Sequence, residues 1–220
     1  MINLIHGDCM EYMATLKDNE FDLAVVDPPY GIGQDGKSNH SRGGPHSKGG
    51  KFISATKFTP KEWDKSPPPQ IYFDELMRVS KRQIIWGGNY FDLPPSSCWL
   101  VWDKINYGSH FADCELAWTN FKTAVRQFRF MWNGMLQGDM KHKQTRIHPT
   151  QKPIQLYQWI FDKYAKKGWR ILDTHLGSGS SAIAAHDSGL DFVGLELDGD
   201  YFQAAKDRLE RHQLQLQLPW

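Results

Sequence analysis

Seven short apolar runs recur along the chain, at residues 3–6, 21–26, 83–86, 99–102, 115–118, 169–172 and 191–195, most of them bounded by Gly, Pro or Asp. Such runs closed by turn formers are what strands buried on both faces require. Helical patterns stand between several of them. Asp8 is placed to cap a helix that carries Met10, Met13 and Leu16 on one face, with Glu11 three residues on. Thr150 and Pro153 open a second, with Leu156, Trp159, Ile160 and Tyr164 on one side and Gly168 at its close. A third runs from near Gly179 to Gly189, and a last one from about Asp200 to His212 with Phe202, Ala205 and Leu209 inward. Strands alternating with helices dictate an α/β sheet.

A chain of 220 residues is one domain's worth, large enough to bury a core without staples, so residues 1–220 are read as a single domain. There is no run of 18 apolar residues and no basic segment leading into an apolar one, which points to a cytoplasmic protein with no membrane partner. Cys9, Cys98 and Cys114 form no CxxC pair and no metal-ligand spacing, which fits a reducing compartment and no metal. His40, His46, His142 and His148 likewise lack ligand spacing.

The net charge of +1 hides an asymmetry. Residues 36–65 carry seven Lys/Arg against two acids, and residues 122–152 carry seven against one, so the rest of the chain is acidic. Two basic segments on an acidic body suggest loops that meet a polyanion. Neither segment shows a sustained period. Residues 31–65 read as a long mobile loop, and residues 122–150 as a small basic and aromatic insert.

Two motifs carry chemistry. Asp27-Pro28-Pro29-Tyr30 follows the run at 21–26 directly. In open α/β sheets ligands sit at the carboxyl ends of strands, which places this tetrapeptide in a site. Two prolines fix φ and remove two N–H donors, leaving a stiff turn with outward carbonyls. A carboxylate beside a rigid carbonyl offers two acceptors to one NH₂ group, and the Tyr30 ring can stack on a planar base. The second motif is Asp173-Thr174-His175-Leu176-Gly177-Ser178-Gly179-Ser180, after the run at 169–172 and opening a helix. Its glycines allow close approach of the backbone to a ligand. Glu196, at the end of the next strand, is placed to take the two ribose hydroxyls of an adenosine. Gly177-x-Gly179-x-x-Ala182 also satisfies a dinucleotide fingerprint. Asp173 argues against NAD, since a carboxylate there suits an ammonium and repels a pyrophosphate.

These residues resemble the DNA amino-methyltransferases, N6-adenine and N4-cytosine enzymes, in the permuted β-class order with the catalytic tetrapeptide early and the S-adenosylmethionine loop late. His148-Pro149-Thr150-Gln151-Lys152-Pro153 is similar to the segment ahead of that loop, and Ile84-Ile85-Trp86-Gly87-Gly88 and Trp102-Asp103-Lys104 resemble later strands of the family. The resemblance implies a Rossmann-like, circularly permuted sheet of seven strands, mostly parallel, with the fifth antiparallel. It implies catalytic residues Asp27, Pro28, Pro29 and Tyr30. It implies a cofactor set of Asp8, Cys9, Thr150, Gln151, Lys152, Asp173, His175, Gly177, Ser178, Gly179, Ser180 and Glu196, with Asp8 near the adenine and Thr150, Gln151 and Lys152 near the cofactor carboxylate. One departure stands out: Thr174-His175 replaces the usual Pro-Phe, which puts a stacking contact to the cofactor in question.

The implied reaction is transfer of a methyl from S-adenosylmethionine to the exocyclic amino group of a base flipped out of double-stranded DNA. An Asp at the first motif position is typical of N6-adenine enzymes and Ser of N4-cytosine enzymes, so adenine is favoured and cytosine is the alternative. Methyl transfer to RNA or to a protein glutamine would share the motif logic but normally carries the cofactor loop first. Lys48, Lys51, Arg126, Arg129, Lys141, Lys143 and Arg146 are the candidate DNA contacts. Phe128, Phe130, Met131 and Trp132 either pack their segment or wedge into the base stack, packing being favoured. A second copy of the chain, in a homodimer, is an optional partner.

Overall fold

The strand Leu23–Val26 (β2) is buried at all four positions, yet its side chains divide by parity: Leu23 and Val25 join one hydrophobic cluster, Ala24 and Val26 another. Ile84 and Ile85 of Gln83–Trp86 (β3) divide the same way, as do Ile171 and Leu172 of Arg170–Asp173 (β9). Successive side chains of a strand point to opposite faces, so continuous apolar runs of this kind put a core on both sides of a sheet. The computed structural model, which describes residues 1–35, 58–59, 61–107, 112–133 and 136–215, has that three-layer form.

The remaining sheet strands are β1 (Ile2–His6), β4 (Trp99–Asp103), β5 (Cys114–Thr119), β6 (Arg126–Arg129) and β10 (Asp191–Glu196). They stand in the order β1-β10-β9-β2-β3-β5-β4-β6, and β5 alone runs antiparallel to its neighbours. All seven expected strands are present, with the fifth reversed. The eighth, β6, extends the sheet at one edge. Its sequence Arg-Gln-Phe-Arg is exposed except at Phe128, so it lacks the apolar run by which a buried strand is recognised. Residues 122–150 are therefore only in part an insert. A two-stranded hairpin, Trp132–Asn133 (β7) with Leu136–Gln137 (β8), follows β6. Phe128, Phe130 and Trp132 pack against the core, with Phe128 5.4 Å from the Trp159 ring.

One face of the sheet is covered by α1 (Cys9–Ala14) and α2 (Gln70–Val79), the other by α3 (Ile154–Tyr164), α4 (Ser180–Asp187) and α5 (Gly199–Gln215). Asp8 caps α1 as expected, accepting from the Met10 and Glu11 amides through Oδ1. On α3, Pro153 rather than Thr150 is the N-cap, and the buried residues are Leu156, Tyr157, Ile160 and Phe161. On α5, Tyr201 is buried along with Ala205 and Leu209, while Phe202 is only half-buried and stacks on His6. Helix α2, with Tyr72, Phe73, Leu76 and Val79 inward, has no counterpart in the sequence reading. Pro69 stands at its N-cap with no side-chain cap, so the usual start signal is missing there.

Residues 36–57, with Lys48 and Lys51, lie outside the described residues. Described residues on either side of them are tied to one another or to α5 and the turn before it. Asp64 is buried and accepts from the Gly31 and Gln34 amides, both at 2.7 Å, while Lys61 reaches Asp198 and Asp200 at 2.7 and 2.6 Å.

Candidate active site

Parallel strands put their carboxyl ends along one edge of the sheet. Asp27, Gly87, Lys104, Asp173 and Glu196 follow or end β2, β3, β4, β9 and β10 and so share that edge. Because β5 is reversed, its beginning comes to the same edge, and Glu115 is paired in register with Trp102. A cleft of roughly 680 Å³ opens there, lined by Asp27, Pro28, Pro29, Tyr30, Lys104, Glu115, Lys152 and Arg146 among others.

At its floor lies a buried chain of charges. The Lys152 ammonium pairs with Asp27 Oδ2 and lies 3.2 Å from Glu115 Oε2, and Glu115 Oε1 pairs with Lys104. The Lys152 side chain is only 4% exposed, so its charge has lost its water and must be balanced by these carboxylates. Burial pulls the Lys152 ammonium down, but Asp27 and Glu115 outweigh it and hold it above the ordinary lysine value. Glu115 is raised by burial and lowered further by Lys152 and Lys104, ending at about 2. Asp27 is pushed up, chiefly by burial, against the pull of Lys152.

The Tyr30 hydroxyl donates to Asp27 Oδ1 at 2.7 Å and accepts from Lys152 Nζ at 3.2 Å. Its ring stacks on Tyr90, with centroids 5.1 Å apart and planes at 16°. Gly87 makes room for it. At φ 71° a Cβ on Gly87 would stand 2.1 Å from a Tyr30 ring carbon. Gly87→Ala is therefore expected to cost about 1–3 kcal/mol through backbone strain and to drive Tyr30 from Asp27. Denaturant unfolding together with a methylation assay checks this; an unchanged midpoint with full activity would refute it.

A second group lies at the ends of β9, β10 and β1. Gly177 and Gly179 take φ of 52° and 71°, turning the chain sharply into α4. The Gly177 amide donates to Glu196 Oε2 at 2.8 Å, and the Asp198 amide to Glu196 Oε1 at 3.0 Å. Asp173 is buried, accepting from the Ser181 hydroxyl at 2.6 Å and the His175 amide at 3.1 Å. Burial raises its carboxyl to about 7, with Asp27 and Glu196 adding to the rise. Ser180 Oγ donates to the Lys152 carbonyl at 2.7 Å, and Arg208 donates to the Ser178 carbonyl and Ser180 Oγ. His175 is held edge-on to Tyr72 of α2 at 5.3 Å, and burial lowers its imidazole to about 4, so it is a neutral ring. Cys9, half-buried beside Asp8, has its thiol raised to about 12, first by burial and then by Asp8.

The family described as DNA methylase, the N6/N4 methyltransferases, matches residues 102–207. The type II methyltransferase M2.DpnII of Streptococcus pneumoniae is 25% identical over 255 residues, covering 94% of this chain and 89% of that protein. Among solved structures, the M1.HpyAVI complex with S-adenosylmethionine has a TM-score of 0.55 at 20% identity, covering 94% of this chain and 100% of that one. The PvuII DNA methyltransferase, cytosine-N4-specific, has a TM-score of 0.54 at 12% identity, covering 96% and 90%. Residues 102–207 thus match the N6/N4 DNA methylases, and the matches together support a DNA methyltransferase with S-adenosylmethionine as its methyl donor.

The residues of this methylase fit that cofactor. Asp173 is a buried carboxylate that pairs with no cation among the described residues, and its raised pKa registers the deficit an ammonium would fill. The resemblance assigned Thr150, Gln151 and Lys152 to the cofactor carboxylate. In the structure Thr150 Oγ1 is 3.1 Å from His148 Nδ1, and Gln151 holds the Ile147 amide. Lys152 faces Asp27. Of the described DNA candidates, Arg146 lines the cleft, while Arg126, Arg129, Lys141 and Lys143 are exposed and do not line it. Arg129 leans on Asp103 at 3.3 Å. The sequence reading missed Glu115, Lys104 and Tyr90. Glu115 stands at the head of an apolar run and gives no signal of its own.

Proposed function

We propose that this methylase acts on N6 of adenine in double-stranded DNA, with Asp27 as the acceptor for the amino group. The observation that carries this reading is a carboxylate, rather than a hydroxyl, at the head of the Pro-Pro turn on the cleft floor. An exocyclic amino nitrogen is a weak nucleophile because its lone pair is delocalised into the ring. Asp27 and the Pro28 carbonyl accept its two hydrogens, favour a pyramidal nitrogen and aim the lone pair. Positioning of this kind is worth on the order of 7–11 kcal/mol. Tyr30 stacks on the flipped base and offsets part of the few kcal/mol that flipping costs. S-adenosylmethionine supplies the methyl from its sulfonium. Asp173 holds its ammonium, Glu196 its ribose hydroxyls, and the turn at 177–180 lies against it, with Asp8, Cys9 and His175 around the adenine end. Lys48, Lys51, Arg126, Arg129, Lys141, Lys143 and Arg146 serve the DNA backbone and its bases, and residues 31–65 face the DNA. Nucleoside analysis of plasmid DNA treated with the enzyme tests the reading: N6-methyladenine is expected, and N4-methylcytosine alone would overturn it.

The cofactor half makes a prediction in pH. The folded carboxyl of Asp173 titrates at about 7 against an ordinary 3.8, so its contribution to ligand-free stability is full below about 4 and is lost as pH rises through about 7. A ligand ammonium pairs with the ionised form, so binding releases a proton. S-adenosylhomocysteine is expected to bind about tenfold more weakly per pH unit below 7 and at constant affinity above it. Calorimetric titration from pH 5.5 to 8.5 reads this. Asp173→Asn is expected to flatten the profile, and an unchanged slope in that variant would remove Asp173 from the role.

A further inference from the structure

The hydroxyl of Tyr30 gives one hydrogen to Asp27 Oδ1 at 2.7 Å and takes one from Lys152 Nζ at 3.2 Å. A donor and an acceptor side by side is also the pattern on the edge of adenine, whose N6 amino group adjoins N1, and of cytosine, whose N4 amino group adjoins N3. Guanine and thymine instead turn a ring N–H outward at that place. From this geometry we infer that Asp27 and Lys152 together read the edge of the flipped base. The carboxylate takes an amino hydrogen, the ammonium donates to the neighbouring ring nitrogen, and Tyr30 keeps that place until the base arrives. The inference rests on the reading of Asp27 as the amino-group acceptor.

Three features support it. The Lys152 side chain, 4% exposed, is anchored from behind by Glu115, itself paired with Lys104, so the ammonium is held at the cleft floor rather than sweeping through solvent. It also lies over two aromatic rings, 5.5 Å from that of Trp86 and 5.6 Å from that of Tyr30. Second, exchange is one for one. When the base displaces the Tyr30 hydroxyl, Asp27 Oδ1 still has a donor and Lys152 still has an acceptor, so neither of these two charged groups loses a partner. Third, a ring N–H facing an ammonium places two donors together, which penalises guanine and thymine by repulsion as well as by lost contact. Lys152 is thus a specificity-determining residue, and Glu115 the positioning residue that fixes it.

The test uses duplexes that carry the enzyme's own site, mapped by sequencing plasmid DNA it has methylated. The target adenine is replaced by 1-deazaadenine, which keeps the amino group and loses N1, or by 3-deazaadenine as a control for ring electronics. For the wild-type enzyme, single-turnover transfer is expected to fall about ten- to a hundredfold on 1-deazaadenine, the scale of a hydrogen bond to a charged group, and little on 3-deazaadenine. Lys152→Met is expected to be slow on all three and to show no difference between adenine and 1-deazaadenine. Equal wild-type rates on adenine and 1-deazaadenine, or equal losses on the two analogues, would overturn the inference with no variant needed. So would discrimination that persists in Lys152→Met. If the mapped base is cytosine, the adenine reading fails separately, and 3-deazacytosine takes the place of 1-deazaadenine in the same comparison.

Discussion

Asp27→Ala is expected to slow methyl transfer by about 10³-fold or more, the scale on which removal of a preorganised polar group from a reacting centre is felt. Without the carboxylate, the amino group has no acceptor to aim its lone pair, and the Tyr30 hydroxyl loses the oxygen it donates to. Lys152 keeps Glu115 as a partner, so the variant is not left with an isolated buried cation. The groups around Asp173, Gly177 and Glu196 make no hydrogen bond to Asp27, so the affinity for S-adenosylhomocysteine is expected to stay near that of the parent. Equilibrium titration and single-turnover methylation on the same preparation separate the two effects. Lost cofactor binding with preserved transfer would mean that the two halves of the site have been assigned the wrong way round.

Lys152→Met is expected to be the more damaging change to the fold. It removes the cation between Asp27 and Glu115 and leaves two buried carboxylates, of which only Glu115 keeps a cation, Lys104, among the described residues. Breaking a buried pair in this way costs about 3–5 kcal/mol, a large part of the stability of a single domain. The sign reverses with pH. In the parent, Glu115 is lowered to about 2 against an ordinary 4.5, so its contribution is full above about 4.5 and is lost as pH falls through about 2. In the variant the stranded carboxyls are pushed up instead, so they favour the fold at low pH and oppose it as pH rises. The gap between parent and variant is therefore expected to widen from pH 5 to pH 8 in denaturant unfolding. A gap that is constant with pH would mean that Lys152 contributes packing rather than charge.

Much of this methylase was legible in the residues alone. Asp27, Asp173 and Glu196 stand at the ends of short apolar runs. In a parallel sheet that position is the functional edge, whatever the order of the strands. The turn at 177–180 announced itself through its glycines, which adopt positive φ as the sharp entry to α4 requires. Asp8 is legible as a cap because its bonds are to amides two and three residues on, so no distant contact is needed. Helix α2 and strand β6 escaped because their signals are weak locally. Three prolines precede the first without a capping side chain, and the second is an exposed edge with polar residues on both faces.

What only the tertiary structure decided is which groups face one another across the cleft. Lys152 stands beside the cofactor turn in sequence and by resemblance, yet its side chain goes to Asp27. The Gln151 carbonyl is held by the Trp132 indole at 2.7 Å and the Lys152 carbonyl by Ser180 at 2.7 Å, which pins the backbone on both sides of that choice. Glu115 reaches the same place because β5 runs backwards between β3 and β4, which brings the start of a strand to the edge where the others end. Local sequence determines where a strand stops and what caps it, since those bonds span a few residues. The balance of charge at the floor of the site is made by residues up to 125 positions apart, and only the packing of the sheet could bring them within reach.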